Sequence, residues 1–191
     1  LFDPGKEPKS KFRLISNESA DLVNILNEWP VNNNNFDLNP KKYHEKISNW
    51  QNLIQENINN GVYKCGFSRN QNAYEIASKN LFSILTIIEE NLNSNGPFLC
   101  GEELTIADVR LFPTLIRWES VYAPLFKCSK KQIHSFPNIL KWRKMIFNSY
   151  NINETCDADA WRKDYFGALF PLNPSGIIPK GESIYKIINQ Y

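Results

Sequence analysis

Hydrophobic residues recur along most of this chain at intervals of three and four, which is the spacing of one face of an α-helix. The longest such pattern consists of Tyr74, Ala77, Leu81, Leu85, Ile88 and Leu92. A second pattern covers 41–58, and we expect that helix to end before Gly61 because glycine commonly follows a helix. Two more amphipathic helices are predicted, one within 138–150 and one that starts near Asp157 or Asp159. The pattern therefore predicts a bundle of about five helices.

The most apolar helix is predicted over 104–118 and begins with a capping box. Thr105 lies three residues before Asp108, so the two can satisfy each other's backbone amides through their side chains. The apolar residues that follow leave little room for a solvated face, which is typical of a central helix. Pro113 removes one backbone donor and predicts a kink. We interpret Thr105 and Asp108 as a structural capping box and not as an active site.

The N-terminal part follows another pattern, with short apolar stretches at 1–2 and 12–15 that predict two strands. A helix over 20–29 follows, for which Ser16, Asn17 or Ser19 is the expected cap. Two short strands and one helix cannot form a core of their own, so we expect another part of a protein to cover them.

Polar and Pro/Gly-rich stretches separate the predicted helices. They predict a linker over 30–40, loops over 62–67 and 119–128, and an irregular tail. We therefore divide the chain into an N-terminal part at 1–29, the linker, a helical domain at 41–170 and a tail at 171–191.

Composition excludes several classes of function. The chain has 22 basic and 20 acidic residues, so its charge gives no case for nucleic acid or an anionic membrane as the main partner. No apolar run approaches the roughly 20 residues of a membrane span, and the first residues show no secretory leader. We expect a soluble protein of an intracellular, reducing compartment, either the cytoplasm or an organelle matrix.

Cysteine is the remaining source of metal or redox chemistry. Cys65, Cys100, Cys128 and Cys156 show neither a CxxC motif nor a paired histidine spacing, so we predict no bound metal and no thioredoxin-type redox pair. Their even number permits disulfides. A large apolar core without a secretory signal nevertheless favours free thiols.

Several motifs together resemble one family. They are SNESADLVNIL at 16–26, NGVYKCGF at 60–67, LTIADVRLFPTLIRWESVY at 104–122, LFKC at 125–128, FPNILKW at 136–142 and LNPSGIIPKG at 172–181. In this order and spacing they resemble the glutathionyl-hydroquinone reductases, the xi class of glutathione transferases. The resemblance implies a mainly α fold, in which a glutathione transferase C-terminal helical bundle is preceded by the end of a thioredoxin-like αβ domain.

The resemblance also implies chemistry. Members of the family reduce glutathionyl-hydroquinones with a cysteine thiol, and a second glutathione resolves the resulting mixed disulfide. That cysteine belongs to the first half of the thioredoxin-like domain, which the resemblance places before Leu1. Cys65 and Cys128 fall in motifs of the helical domain, and Cys100 and Cys156 match no catalytic position. We therefore expect no catalytic residue within this chain.

Two pairs of residues match binding positions of the family. Glu18 and Ser19 match the pair that holds the γ-glutamyl end of glutathione, where a carboxylate takes the ammonium and a hydroxyl with helix-start amides takes the carboxylate. Their alternative roles are a solvated glutamate and a helix cap. Tyr122 and Tyr165 match the pocket for the aromatic substrate, and their alternative role is packing.

The chain departs from the family pattern close to these tyrosines. Ala123 and Leu125 stand where relatives tend to have a tyrosine and a histidine, and Phe166 and Leu169 also replace polar residues. A phenolic substrate loses orientation when such groups are absent. Two functions therefore stay open, a glutathione-dependent reductase of aromatic quinone conjugates and a non-catalytic scaffold or ligand carrier with protein partners. The resemblance implies a homodimer, or a subunit of a complex, with its contact at the FKC loop.

Overall fold

The computed structural model describes residues 2–3, 13–14, 16–28 and 37–190. Strands β1 (Phe2–Asp3) and β2 (Arg13–Leu14) pair antiparallel, with Phe2 opposite Leu14. Helix α1 follows at Ser19–Asn27. The second predicted strand is thus confirmed at its centre, while its ends at 12 and 15 and most of the predicted linker lie outside the described residues.

Asn27 links helix α1 to the segment that leads into the bundle. Asn27 Oδ1 accepts the amide of Leu38 (2.8 Å), and Asn27 Nδ2 donates to Asp37 Oδ1 (2.9 Å). The carbonyl of Leu38 then accepts the amide of Ile106 (2.8 Å), the first residue of a bundle helix. The linker segment therefore bonds both to α1 and to the bundle.

The first bundle helices form one long rod with a wide turn in it. A single 3₁₀ turn at Lys41–Tyr43 leads into α2 (His44–Ile54), a π-helical turn at Gln55–Asn59 and α3 (Asn60–Gly66). The predicted helix end before Gly61 and the predicted loop over 62–67 are therefore wrong. Gly61 lies inside α3 and is buried against Leu81, so at this position glycine does not end the helix.

Helix α4 (Gln71–Asn95) confirms the longest pattern of the sequence. Asn70 caps it, because its Oδ1 accepts the amide of Ala73 (2.9 Å). Its buried side chains are Ala77, Ser78, Leu81, Phe82, Leu85, Ile88 and Leu92. They face α3 on one side and α7 (Pro137–Phe147) on the other.

Helix α5 (Ile106–Ile116) lies at the centre, and the predicted capping box is present at its start. Asp108 Oδ2 accepts the amide and the hydroxyl of Thr105, both at 3.0 Å. Asp108 Oδ1 accepts the amide of Leu99 (3.0 Å) and the indole N–H of Trp142 (2.9 Å). The helix continues through Pro113 for three further residues. One buried carboxylate thus joins α5, the preceding loop and α7.

The segment after α5 is helical, so the predicted loop over 119–128 is wrong in its first part. A π-helical turn at Trp118–Tyr122 passes into the short helix α6 (Ala123–Leu125). Pro124 lies in the first turn of α6, where a missing N–H costs no hydrogen bond. Helices α7 and α8 (Ala158–Ala168) are confirmed, and Asp157 Oδ1 caps α8 by accepting the amides of Asp159 and Ala160.

The tail is irregular over 171–183 but then forms α9 (Ile184–Asn189), so the predicted irregular tail over 171–191 is partly wrong. Ile184, Ile187 and Ile188 have helical spacing and are buried, and α9 packs on α7. The fold class is confirmed, with a strand pair and α1 preceding a helical bundle. Within the described ranges, no helix is both long and apolar enough to span a membrane.

We expect Asp108→Ala to destabilise the fold by about 3–5 kcal/mol, since it leaves several buried donors without their acceptor. Urea unfolding followed by circular dichroism at 222 nm measures this cost. Asp164→Ala, at an exposed position of α8, is the matched control and should change stability by less than about 0.5 kcal/mol. Equal stability of the two variants would contradict the central role of Asp108.

Candidate functional site

Three tyrosine hydroxyls meet between α3, the turn after α5, and α8. Tyr165 Oη lies 3.1 Å from Tyr63 Oη and 3.1 Å from Tyr122 Oη. The structure thus brings together Tyr122 and Tyr165, which the sequence suggested for an aromatic pocket. Tyr63 was missed, although it lies inside the NGVYKCGF motif, because that motif was read as a loop.

Phe126 packs at the centre of these phenols. Its ring centroid lies 5.2 Å from those of Tyr63 and Tyr122 and 5.9 Å from that of Tyr165, each in an edge-to-face arrangement. Gly66 makes this packing possible, because a Cβ there would lie 2.4 Å from Phe126 Cδ1. We call Tyr63, Tyr122, Phe126 and Tyr165 the tyrosine cluster.

The cluster has a closed side and an open side. Tyr122 is only 4% exposed, whereas Tyr63 is 39% exposed. Burial raises the pKa of Tyr122, and its hydrogen bond with Tyr165 raises it further. Burial also raises the pKa of Tyr63, while the positive charge of Arg117 lowers it. Both hydroxyls therefore keep their protons at neutral pH, and the exposed Tyr63 can donate a hydrogen bond at the open side.

An apolar cavity of about 240 Å³ lies beside Arg117, between α5, α7 and α8. The guanidinium carbon of Arg117 lies 4.7 Å from the centroid of the Trp161 ring, and Nη1 donates to the carbonyl of Pro113 (2.6 Å). Its Nε is buried and has no hydrogen-bond partner among the described residues. The cavity is thus suited to an apolar ring, with a cation at its wall.

Glu18 and Ser19 lie at the start of α1, and both are exposed. Glu18 occupies the N-cap position, and Ser16 Oγ accepts its amide (3.0 Å). Ser19 is the first residue of the helix, so its alternative role as the helix cap is wrong. The proposed glutathione pair therefore stands at a helix N-terminus, where a carboxylate is favoured.

Two of the residues that differ from the family pattern are buried. Leu125 and Phe166 are buried and belong to the hydrophobic core. Ala123 and Leu169 are half-buried and pack against that core. The apolar residues at 125 and 166 therefore serve packing.

Within 37–190, all four cysteines carry free thiols, and none is exposed. Cys65, Cys100 and Cys128 are buried, and burial raises the pKa of the half-buried Cys156. A catalytic nucleophile needs an accessible thiolate. That the chain contains no catalytic cysteine stays a prediction, which this burial favours.

Comparison with known proteins identifies relatives of this chain. The family described as Glutathione S-transferase, C-terminal domain, matches residues 71–144. The glutathionyl-hydroquinone reductases PcpF of Sphingobium chlorophenolicum and YqjG of Escherichia coli are 34% and 35% identical over 175 residues, or 91% of this chain. The chain is a homologue of the glutathionyl-hydroquinone reductases. It covers 56% of PcpF and 53% of YqjG, so it spans just over half the length of these relatives.

Solved structures of glutathione transferases and their homologues are also similar to this chain. The glutathione-bound structure of Escherichia coli YqjG superposes with a TM-score of 0.83 at 35% identity, covering 88% of this chain and 55% of that one. The xi glutathione transferase of Phanerochaete chrysosporium gives a TM-score of 0.81 at 32% identity, with coverages of 86% and 57%. The helical bundle is thus a glutathione transferase C-terminal domain.

Two glycine substitutions test the packing of the tyrosine cluster. Gly66→Ala should destabilise the protein by about 1–3 kcal/mol, because its Cβ meets the buried Phe126 ring. Gly167→Ala in α8, where no described atom lies within 4 Å, should be neutral or stabilise by about 0.5–1 kcal/mol. Thermal unfolding compares the two variants. A Gly66→Ala protein as stable as the Gly167→Ala protein would show that α3 does not press on Phe126.

Proposed function

We propose that this chain forms the aromatic-substrate half of a glutathione-dependent reductase acting on glutathionyl-hydroquinones. The main support is the tyrosine cluster, in which the hydroxyls of Tyr63 and Tyr122 both lie within hydrogen-bonding distance of Tyr165 Oη. A hydroquinone is an apolar ring with two hydroxyl groups, and it matches an aromatic wall that offers hydroxyl partners.

In the proposed reaction, this site holds the aromatic ring and a cysteine thiol attacks the glutathionyl sulfur. A cysteine thiolate attacks the sulfur of the glutathionyl group, the sulfur–aryl carbon bond breaks, and the ring carbon takes a proton to give the free hydroquinone. The cysteine is left as a mixed disulfide, which a second glutathione resolves to oxidised glutathione and free thiol. No cysteine within 37–190 is exposed, so the proposal takes the attacking thiol from outside these 191 residues.

The tyrosines orient the ring and stabilise charge on its oxygens. A raised pKa keeps the exposed Tyr63 protonated, so it can donate to a ring oxygen that gains negative charge as the carbon–sulfur bond breaks. The buried Tyr122, whose pKa is also raised, hydrogen-bonds with Tyr165 and holds it in place. The charge of Arg117 acts on Tyr63 and adds to this stabilisation. The apolar cavity beside Arg117 is a separate space, since none of the four residues of the tyrosine cluster lines it.

Glutathione belongs to the same proposal. Glu18 would take the ammonium of the γ-glutamyl end, and the hydroxyl and amide of Ser19 at the start of α1 would take its carboxylate. The YqjG homologue was solved with glutathione bound, which supports glutathione as the ligand. In the proposed protein, residues 1–29 are the end of a thioredoxin-like domain, residues 30–40 are a linker and residues 41–170 are the helical domain.

A non-catalytic scaffold or ligand carrier is the second candidate. It is favoured by the same burial of Cys65, Cys100 and Cys128, and by Ala123 and Leu169, which supply no polar group at half-buried positions. In that case protein partners replace the substrate, and the tyrosine cluster is part of the packing.

Titration of the chain with a glutathionyl-hydroquinone by calorimetry separates these candidates. Tyr165→Phe and Glu18→Gln should each weaken binding by about tenfold, since each removes a hydrogen bond or charge contact worth about 1.4 kcal/mol. Tyr185→Phe and Glu28→Gln are matched controls at exposed positions of α9 and of the C-terminal end of α1, and they should bind as the parent does. Absence of saturable binding, or equal losses in the controls, would favour the scaffold.

We also propose a homodimer whose contact uses the exposed side of the FKC loop. Phe126 and Cys128 are buried, so Lys127 and residues 129–132 offer the available surface. Light scattering should give twice the 22.2 kDa of one chain. Lys130→Glu should shift the mass towards the monomer, whereas Lys141→Glu on α7 should not. A monomeric parent protein would overturn this proposal.

A further inference from the structure

The apolar cavity beside Arg117 is large enough to hold a small ligand. Its volume is about 240 Å³, whereas a cavity of roughly 150 Å³ with apolar walls takes up benzene. Phe112 and Ile116 are buried lining residues, and Pro113 and Thr155 are lining residues that are exposed. The cavity therefore has room for an aromatic ring system larger than benzene and can be reached from solvent.

Arg117 lines this cavity with a guanidinium group that the described part of the chain leaves mostly unpaired. Nη1 donates to the carbonyl of Pro113 (2.6 Å), and Nε is buried without a hydrogen-bond partner among the described residues. Within the described ranges, no carboxylate forms an ion pair with Arg117. The neighbouring Glu119 instead accepts from Arg143 with both of its oxygens. Because sheltered charges in proteins are normally paired, an anion is the group that this position would bind.

The guanidinium is held in place by the protein itself. Its carbon lies 4.7 Å from the centroid of the buried Trp161 ring, which lines the same cavity. The hydrogen bond to the carbonyl of Pro113 fixes Nη1 at the same time. A planar guanidinium in a fixed position can form two parallel hydrogen bonds with a carboxylate and loses little freedom on binding it. The cavity thus combines apolar walls with a group suited to a carboxylate.

We propose that the cavity between α5, α7 and α8 binds a small aromatic carboxylate, with the ring against the apolar walls and the carboxylate on Arg117. The ring gains from burial of its apolar surface, and the carboxylate supplies the acceptor that Nε lacks. The site is separate from the tyrosine cluster, none of whose residues lines the cavity. It therefore does not depend on the proposed reductase activity.

Calorimetric titration of the 191-residue chain with 2-naphthoate tests the proposal. The neutral alcohol 2-naphthylmethanol carries the same ring system and should bind about tenfold more weakly, because it cannot pair with a cation. Absence of saturable binding of 2-naphthoate, or equal affinities for the acid and the alcohol, would overturn the proposal. Either result would favour another polypeptide segment as the cover of the cavity.

Matched variants assign the charge contact. Arg117→Gln should weaken binding of 2-naphthoate by about tenfold and leave binding of the alcohol nearly unchanged. Arg69→Gln, at an exposed position between α3 and α4, is the control and should bind both compounds as the parent does. Circular dichroism checks that each variant is folded. Equal losses of 2-naphthoate affinity in the two folded variants would refute the role of Arg117.

Nuclear magnetic resonance locates the probe in the parent protein and needs no variant. With isoleucine methyl groups labelled, 2-naphthoate should show Overhauser contacts to the lining residues Ile116, Ile146 and Ile152. The exposed Ile76 and Ile87 of α4 are the controls for non-specific binding and should show none. Contacts to these controls alone would refute the site.

Competition separates this proposal from the proposed reductase function. An excess of a glutathionyl-hydroquinone should leave the affinity for 2-naphthoate unchanged, and displacement of 2-naphthoate would overturn the claim of a separate site. Failure of the glutathionyl-hydroquinone to bind, with 2-naphthoate still bound at Arg117, would count against the reductase and support the carboxylate site.

Discussion

The structure depends on one buried carboxylate that accepts hydrogen bonds from three separate segments. Asp108 holds the amide of Leu99, the amide and hydroxyl of Thr105, and the indole of Trp142. Burial raises the pKa of Asp108 while each of these hydrogen bonds lowers it, so its donors are what make a carboxylate tolerable there. The position of α5 relative to α7 and the preceding loop follows from this requirement.

Helices α5 and α7 anchor the two π-helical turns that position Tyr63 and Tyr122. At the first turn, Asn59 accepts the hydroxyl of Thr114 (2.7 Å) and donates to the carbonyl of Arg110 (3.2 Å). At the second turn, Nη1 and Nη2 of the buried Arg143 donate to the two carboxylate oxygens of Glu119 (2.6 and 2.7 Å) and form a bidentate ion pair. Both turns are therefore anchored to buried groups, and α3 and α6 leave them in fixed directions.

Within residues 37–190, the structure has an aromatic surface but no exposed thiol. The described bundle offers phenols, an apolar cavity and the Arg117 cation, while its own thiols within 37–190 are withdrawn from solvent. This division fits a chain that spans just over half the length of its reductase homologues.

Much of the fold could be predicted because its signals are local. The repeat that ends at Leu92, the Thr105–Asp108 box and the cap at Asp157 depend on residues within one or two helical turns of each other. The motifs likewise indicated the family, and with it Tyr122 and Tyr165. Tertiary structure decided the rest, because the deciding partners are distant in the chain. Gly61 and Gly66 look like helix ends, yet both lie within α3, and Gly66 is there because the ring of Phe126 packs where a Cβ would be. The packing of α3 on Phe126 also brought Tyr63 into the cluster.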